Sequence, residues 1–140
     1  MLGADTPVGY SLRAFIPPLH RHELILTSLE NTRWRRQKQV KKLLKSADAD
    51  MVIDARMLAL FEGKDTVGQP DIERTHWLGE LSAQLDLNYL LLSSSKVFSG
   101  ELKRPYRESD EADARDATGS ILVDVERTLS DMIEPLFTLL

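Results

Sequence analysis

Short apolar runs alternate along the chain with stretches in which apolar residues recur at helical spacing. The runs predict strands at 22–29, 50–55, 87–92 and 136–140, and the helical spacing predicts helices at 32–45, 71–85 and 117–133. Another helix is predicted around Leu12, Ala14, Phe15 and Leu19, ended by Pro17-Pro18, and 95–115 is predicted as a long polar loop. Because strands and helices alternate with crossovers of a dozen or more residues, the pattern predicts a parallel sheet.

Right-handed crossovers make such a sheet a doubly wound, Rossmann-like α/β fold with helices on both faces. The 140 residues suit a single domain, predicted over 1–140. Only Met1-Leu2 precede the first glycine turn, and the chain stops on a predicted strand. We therefore expect a sheet that is incomplete at both ends. Exposed sheet edges favour pairing, so we expect a homo-oligomer or a partner protein.

Composition narrows the class of protein. The chain is 42% hydrophobic and 29% charged, which indicates a globular domain, and its net charge of −4 argues against nucleic acid as a partner. It has no cysteine, which excludes disulfides and thiolate metal sites, and no metal site is predicted. No apolar run approaches the roughly 20 residues of a membrane span, and the N-terminus lacks a signal-peptide pattern. We expect a cytoplasmic protein with no membrane partner.

A turn bounded by Gly3 and Gly9 follows Met1-Leu2, at the place where a dinucleotide-binding loop belongs. Such loops need glycines for a tight bend and for close approach to a pyrophosphate, which the helix N-terminus then binds. Here Thr6 replaces the middle glycine and puts a Cβ where the pyrophosphate would lie, and Pro7 removes one donor. Glu30 follows the strand predicted at 22–29, where an acid contacts a ribose hydroxyl. A plain strand-to-helix turn and a retained nucleotide site both remain open.

Four motifs carry a resemblance to a known family. L-S-S-S-K-V-F-S-G at 92–100 resembles I-S-T-D-Y-V-F-D-G, and R-P-Y-R-E-S-D at 104–110 resembles R-P-Y-x-E-x-D. The first turn resembles G-A-T-G-Q-L-G, and V-I-D-A at 52–55 resembles V-I-N-A. These are motifs of the dTDP-4-dehydrorhamnose reductases, of the extended short-chain dehydrogenase/reductase superfamily. The resemblance implies an NAD(P)-binding Rossmann domain without the family's C-terminal substrate-binding part. It implies cofactor contacts at Gly3, Thr6, Gly9, Glu30, Arg33 and Ala55.

The resemblance also marks the catalytic positions. From Tyr106 the resemblance continues without a gap, so A-T-G-S-I-L at 117–122 stands where the family has V-Y-G-R-S-K, with Glu126 following. The family's threonine then falls on Ser94, its catalytic tyrosine on Thr118 and its catalytic lysine on Leu122. In the family the tyrosine protonates the substrate oxygen, while the lysine lowers the pKa of that tyrosine and holds the nicotinamide ribose. A threonine hydroxyl is too weak an acid for that role, and leucine carries no donor. Lys96 and Tyr106, in the neighbouring loop, are the local residues that could replace the missing lysine and tyrosine.

Seven positive charges and no acid lie between Asn31 and Lys45. Arg33, Arg35 or Arg36 could meet a 2′-phosphate, the helix could dock on an acidic partner or nucleic acid, or the charges could line a solvated face. We expect NAD(P) binding to be weak or lost. The favoured hypothesis is a non-catalytic, reductase-like module that acts by binding a nucleotide or a partner protein. The alternative is an active NAD(P)H-dependent sugar-nucleotide reductase.

Overall fold

A computed structural model describes residues 1–16, 22–62, 67–134 and 136–139. The helices are α1 (Pro7–Phe15), α2 (Gln37–Ala47), α3 (Arg56–Glu62), α4 (Gln69–Gln84) and α5 (Ala117–Met132). The strands are β1 (Met51–Asp54), β2 (Asn88–Leu92) and β3 (Leu136–Leu139). Single turns of 3-10 helix occupy Glu30–Thr32 and Ser95–Val97. Within the described ranges, no helix has the length and apolar character needed to cross a bilayer.

The three strands form a parallel sheet in the order β1-β2-β3. Leu2 extends this sheet beyond β1, because it makes parallel bridges both to Asp54 and to Thr27. The Leu2 amide donates to the Ile53 carbonyl at 2.9 Å, and the Thr27 amide donates to the Met1 carbonyl at 3.0 Å. From one edge the order is therefore Thr27, Leu2, β1, β2 and β3. The chain adds its second strand on one side of the first and all later strands on the other, which is the doubly wound arrangement.

The described parts of β1, β2, β3, α4 and α5 confirm the predicted elements to within two residues at each end. The strand predicted at 22–29 is wrong, because only Thr27 pairs there, through one bridge. Ile25 and Leu26 lie at the sheet margin and are exposed, so the apolar run lacks the cover that a central strand receives. The predicted helix end at Pro17-Pro18, with Leu19 and Leu140, lies outside the described residues.

The helix predicted at 32–45 begins five residues later than expected, at Gln37. The Gln39 side-chain oxygen accepts the amides of Arg35 and Arg36 at 2.9 and 3.1 Å, which caps the helix at that point. Helix α3 was not predicted, because seven residues are too short a window for a periodic signal.

Helices α2, α4 and α5 cover one face of the sheet. Gly79 of α4 lies so close to α5 that an added Cβ would meet the Leu129 side chain at 2.4 Å. The side-chain amide of Gln37 in α2 donates to the Glu80 carboxylate of α4 at 2.7 Å. Helix α1 connects the first two strands in the opposite direction along the sheet, so a right-handed crossover places it on the other face. The core beneath α2, α4 and α5 includes Val40, Val52, Leu78, Tyr89, Leu91, Leu122, Val125 and Leu129.

Candidate functional site

The candidate site is the crevice at which the order of the strands reverses. Leu2 and β1 are neighbours there, and doubly wound sheets bind ligands beyond the carboxyl ends of such a strand pair. The glycine turn follows Leu2, and Ala55 follows β1. Gly3 has a positive φ of 75°, and a Cβ on it would lie 3.4 Å from the Ala55 carbonyl carbon. The structure therefore brings the predicted residues Gly3 and Ala55 together.

Thr6 is part of the glycine turn. Its hydroxyl donates to the Gly3 carbonyl at 2.8 Å and accepts the Gly9 amide at 3.1 Å, and the side chain is buried. Thr6 is therefore the N-cap of α1. A Cβ on Gly9 would lie 2.3 Å from the Gly3 oxygen, so the helix approaches the turn this closely only with glycine at that position. The replacement that sequence reasoning treated as an obstacle also stabilises the turn.

The first turn of α1 shows how well the site fits a pyrophosphate. Pro7 has no amide proton, the Gly9 amide is taken by Thr6, and the Tyr10 amide bonds to the Thr6 carbonyl at 2.8 Å. The Val8 amide is the donor of this first turn for which no described residue supplies an acceptor. Anion binding at a helix N-terminus depends on such uncommitted N–H groups. The turn thus keeps the shape of a dinucleotide loop but fits the charged part of the dinucleotide poorly.

Glu30, the predicted ribose contact, begins the 3-10 turn that follows Thr27, and Arg33, the predicted contact for a 2′-phosphate, comes directly after that turn; both side chains are exposed. The Asp5 carboxylate accepts the Leu29 amide at 2.6 Å, which ties this turn to the glycine turn. Both residues therefore lie at the same end of the sheet as Gly3.

A buried ionic network lies directly behind this crevice. Arg56 makes two hydrogen bonds from its guanidinium to the Asp54 carboxylate, at 2.9 and 2.7 Å, and one to the Thr75 hydroxyl of α4 at 2.8 Å. The Tyr89 hydroxyl donates to the same carboxylate at 2.7 Å. The guanidinium carbon lies 5.5 Å from the centre of the Trp34 ring. Sequence reasoning missed this network, although an acid two residues before an arginine at the end of a buried strand was a usable signal.

The charges of this network are set by its partners. Burial alone raises the pKa of Asp54, but the charge and hydrogen bonds of Arg56 outweigh burial and bring that pKa below its ordinary value. Burial lowers and Asp54 raises the pKa of Arg56, with a net rise. Burial and the nearby Asp54 charge raise the pKa of Tyr89 well above its ordinary value. At neutral pH the network is an ion pair with a protonated phenol.

The structure places Ser94 and Thr118 on neighbouring elements. Ser94 is the N-cap of the 3-10 turn that follows β2, and its hydroxyl accepts the Lys96 amide at 3.4 Å. Thr118 is the second residue of α5 and is half-buried. A Cβ on Gly119 would lie 2.1 Å from the Lys96 carbonyl oxygen, so glycine allows the first turn of α5 to approach the 3-10 turn.

Leu122 lies one turn further along α5 and is fully buried, with 0% of its surface exposed. It belongs to the same core as Val125 and Leu129. The position that the resemblance assigns to a catalytic lysine is therefore a core position in this chain. One turn later, the buried Ser93 hydroxyl donates to the Glu126 carboxylate, and burial raises the pKa of Glu126.

Tyr106 anchors the loop between β2 and α5. Its ring stacks on Phe98 with the centroids 4.2 Å apart, and its hydroxyl accepts the Gly100 amide at 3.0 Å and lies 3.2 Å from the Ser99 hydroxyl. The Asp113 carboxylate accepts both the amide and the hydroxyl of Ser99, at 2.7 and 2.6 Å. Several hydrogen bonds thus hold the predicted loop together, and the Tyr106 hydroxyl is hydrogen-bonded within the loop.

The same loop holds an exposed ion pair, and this gives a testable pKa. The Arg104 guanidinium bonds both Asp110 oxygens at 2.7 Å, and together with the Arg107 amide it lowers the pKa of Asp110 from 3.8 to about 2. Because this pKa is depressed, the pair stabilises the fold above pH 3.8 and is lost as the pH falls through about 2. We expect an NMR titration of the Asp110 carboxyl carbon to show that midpoint. Arg104→Gln should raise it toward 3.8, whereas Glu108→Gln should leave it in place.

Comparison with known proteins bears on the fold. No protein-family model matches the chain, and no curated protein matches it. A solved structure of a dTDP-4-dehydrorhamnose reductase from Clostridium acetobutylicum is similar over 98% of this chain, with a TM-score of 0.76 and 17% sequence identity. This chain therefore has the fold of the matched part of that reductase. The chain spans 50% of the reductase's length. The predicted Rossmann-like α/β class and the family resemblance are confirmed at the level of the fold.

Proposed function

We propose that the protein is a non-catalytic, reductase-like Rossmann module that acts by binding a partner protein, in a regulatory or assembly role, and holds a nicotinamide dinucleotide weakly. The observation that carries this proposal is the burial of Leu122 at the position of the catalytic lysine. The absence of cysteine suits the cytoplasm, where we place the protein.

The chemical argument concerns the proton that a carbonyl reduction requires. A bound nicotinamide would supply hydride, and the protein would have to supply a proton donor and the charge that tunes it. Thr118 offers only an alcohol, and Leu122 places hydrocarbon where an ammonium group would be needed. Loss of a single acid–base group typically slows a reaction by about 100- to 10,000-fold. The loss of both supports a role other than reduction.

The crevice supports weak rather than tight binding of the nucleotide. Gly3 and Gly9 preserve the close approach of turn and helix, so a dinucleotide still meets a loop of the right shape. However, the Thr6 hydroxyl occupies the Gly9 amide, and Pro7 lacks an amide proton. A hydrogen bond to a charged group contributes about 1.5–3 kcal/mol, so each missing donor lowers affinity substantially. We expect NADPH and NADH to bind with a dissociation constant of about 1 mM or weaker.

Thr6→Gly is the variant that tests this interpretation. It removes the hydroxyl and the Cβ together, frees the Gly9 amide, and should tighten NADPH binding by about 10-fold, measured by calorimetry. Because glycine is also an acceptable N-cap, we expect unfolding in urea to show a loss of only a few tenths of a kcal/mol. Thr6→Ser is the matched control: it retains the capping hydroxyl and should bind NADPH as the parent does.

Turnover is measured in parallel by following NADPH absorbance with dTDP-4-dehydrorhamnose as substrate. We expect no oxidation above the rate without protein. Turnover by the parent chain, or micromolar affinity for NADPH, would contradict the proposal and favour an active reductase. Equal affinities of the parent and Thr6→Gly would show that Thr6 is not what weakens the site.

A further inference from the structure

A row of lysines follows the exposed side of α2. It consists of the residues at positions i, i+3, i+4 and i+7, which share one side of an α-helix and are all exposed: Lys38, Lys41, Lys42 and Lys45. Val40 and Leu44, the buried residues of α2, point into the core on another side of the helix. At a rise of about 1.5 Å per residue, this lysine stripe is about 10 Å long.

The lysine stripe is unfavourable for the helix that carries it. Like charges three or four residues apart on a helix repel each other, and every lysine of the stripe has two such neighbours. Helix α2 also has no acid in its first turn, where the helix dipole favours a negative charge. Helix α4 has the usual mixture, because Asp71 in its first turn pairs with Arg74. A surface that breaks these local rules without a gain to the fold is typical of a functional site.

The positive charge of α2 is not balanced within the described chain. None of the four lysines forms an ion pair with a described residue, since the ion pairs of the described residues involve arginines: Arg56, Arg74, Arg104 and Arg115. Seven of the 18 basic residues lie at 33–45, whereas all 22 acids lie elsewhere in the sequence. The lysine stripe is therefore a concentration of positive charge on a chain whose net charge is −4. Its electrostatic complement is an acidic surface on another molecule.

The acids around the lysine stripe decide which kind of anion it fits. Glu80 of α4 accepts a hydrogen bond from Gln37 at 2.7 Å, beside the start of the stripe, and the exposed Asp48 and Asp50 follow its end. Charges act over about 8 Å at physiological salt. A polyanion much longer than the stripe, such as a nucleic-acid duplex, would bring phosphates against these acids. A short acidic segment of a protein meets only the lysines.

The spacing of the lysine stripe favours a helix as that segment. Along the axis of α2 the lysines stand at three levels about 5 Å apart. A helix with acids at i, i+3, i+4 and i+7 repeats at the same interval when it packs alongside, and charge pairs between adjacent helices set the choice of partner in coiled coils. In an extended strand the residues on one face repeat about every 6.6 Å, so they lose register with the lysines.

We propose that the lysine stripe of α2 is the surface by which this protein binds its partner, and that the partner presents an acidic helix with carboxylates at matching positions. This inference rests on the proposed function, a module that acts by binding a partner protein, and it names the surface and the chemistry of that partner. Each exposed pair of opposite charges contributes little. Four pairs therefore give a modest affinity that falls as salt is added.

Fluorescence anisotropy with a labelled peptide tests this surface. The probe is an alanine-rich helical peptide with four glutamates at i, i+3, i+4 and i+7, and its matched control has the same composition with the glutamates spread around the helix. We expect the probe to bind at least about 5-fold more tightly than the control peptide, and raising the salt to about 0.15 M should weaken its binding. Circular dichroism checks that the two peptides are equally helical.

Two double variants locate the binding surface. Lys41→Gln with Lys42→Gln removes the centre of the lysine stripe and should weaken binding of the probe by about 10-fold, the effect of losing two exposed ion pairs. Lys103→Gln with Arg107→Gln is the matched control: it removes the same charge from exposed positions in the loop before α5 and should change the dissociation constant by less than about 2-fold. In urea unfolding the stripe variant should be at least as stable as the parent, because repulsion is relieved.

Equal binding of the two peptides, or equal effects of the two double variants, would overturn the proposal. A loss of stability in the stripe variant would overturn it as well, because these lysines would then hold the fold together. Tighter binding of a DNA duplex than of the probe would assign the lysine stripe to nucleic acid instead. None of these measurements uses NADPH or a sugar nucleotide, so their failure is distinguishable from failure of the proposed non-catalytic role.

Discussion

Replacing Leu122 by lysine is expected to lower the free energy of unfolding by about 4–5 kcal/mol at pH 7. Leu122 is fully buried in the core beneath α5, so the introduced ammonium group would be removed from water and placed among apolar side chains. The side chain must lose its proton to stay buried, and deprotonating a lysine of pKa about 10.4 at pH 7 costs about 4.6 kcal/mol. The same substitution would restore the family's lysine, so restoring the catalytic residue and keeping the fold are in conflict.

The pH dependence identifies the cause of the loss. In Leu122→Lys the folded pKa of the lysine is depressed below its unfolded value, so the unfolded chain binds more protons and stability rises with pH, by up to about 1.4 kcal/mol per pH unit. The deficit should therefore shrink as the pH approaches 10. Urea denaturation at several pH values measures it. Leu122→Met should cost less than about 1.5 kcal/mol, and Ser130→Lys, on the exposed side of α5, should stay within about 0.5 kcal/mol.

A Leu122→Lys variant as stable as its parent would show that position 122 has access to solvent. The lysine site would then be open, and the main support for a non-catalytic role would be lost. The double variant Thr118→Tyr with Leu122→Lys extends the test. It should be no more stable than Leu122→Lys alone and should not reduce substrate, because a buried neutral amine cannot tune the phenol.

Replacing Arg56 by alanine is the second large effect, and we expect it to cost about 3–5 kcal/mol of stability. The substitution leaves the Asp54 carboxylate buried with the Tyr89 hydroxyl and without its counter-charge. Removing one partner of a buried pair costs much more than the pair itself contributes, because the remaining charge stays desolvated. Tyr89→Phe, which removes one hydrogen bond to Asp54, should cost about 1–3 kcal/mol.

The sign of the pH dependence shows whether the loss of stability comes from leaving Asp54 buried without its counter-charge. In the parent the depressed pKa of Asp54 means that this group stabilises the fold above its ordinary pKa, with the contribution lost as the pH falls through the folded pKa. In Arg56→Ala the counter-charge is gone, and burial raises the pKa of Asp54. The variant should therefore lose the most stability relative to the parent at neutral pH, and this loss should shrink at acidic pH as Asp54 becomes protonated. Stability curves from pH 4 to 8 distinguish the two slopes.

Two further variants complete the test of the buried network. Replacing both charges, as in Asp54→Leu with Arg56→Met, should cost less than Arg56→Ala alone, because no charge is then left buried. Arg115→Ala breaks the exposed pair with Glu101 and should change stability by less than about 1 kcal/mol. A cost for Arg56→Ala no larger than that of Arg115→Ala would contradict the network's structural role.

The sequence by itself determined the parallel α/β class and the central elements. β1, β2, α4 and α5 were predictable because apolar periodicity is a local property, and each of these elements buries the residues that its period selects. The motif at 92–100 located Ser94, and the resemblance of 117–122 to the family's catalytic segment located Thr118 and Leu122. Where a segment lacks cover, as at Ile25 and Leu26, the same periodicity gave a wrong strand.

Only the tertiary structure decided what the candidate site consists of. The network of Asp54, Arg56, Thr75 and Tyr89 joins β1, α3, α4 and β2, and no local pattern relates all four residues, which lie far apart in the chain. Whether Leu122 points into the core or into a crevice depends on how α5 packs on the sheet. Packing is set by residues that are distant in the chain. The sequence therefore shows which side chains occupy the catalytic positions, but only the tertiary structure shows which of them a ligand could reach.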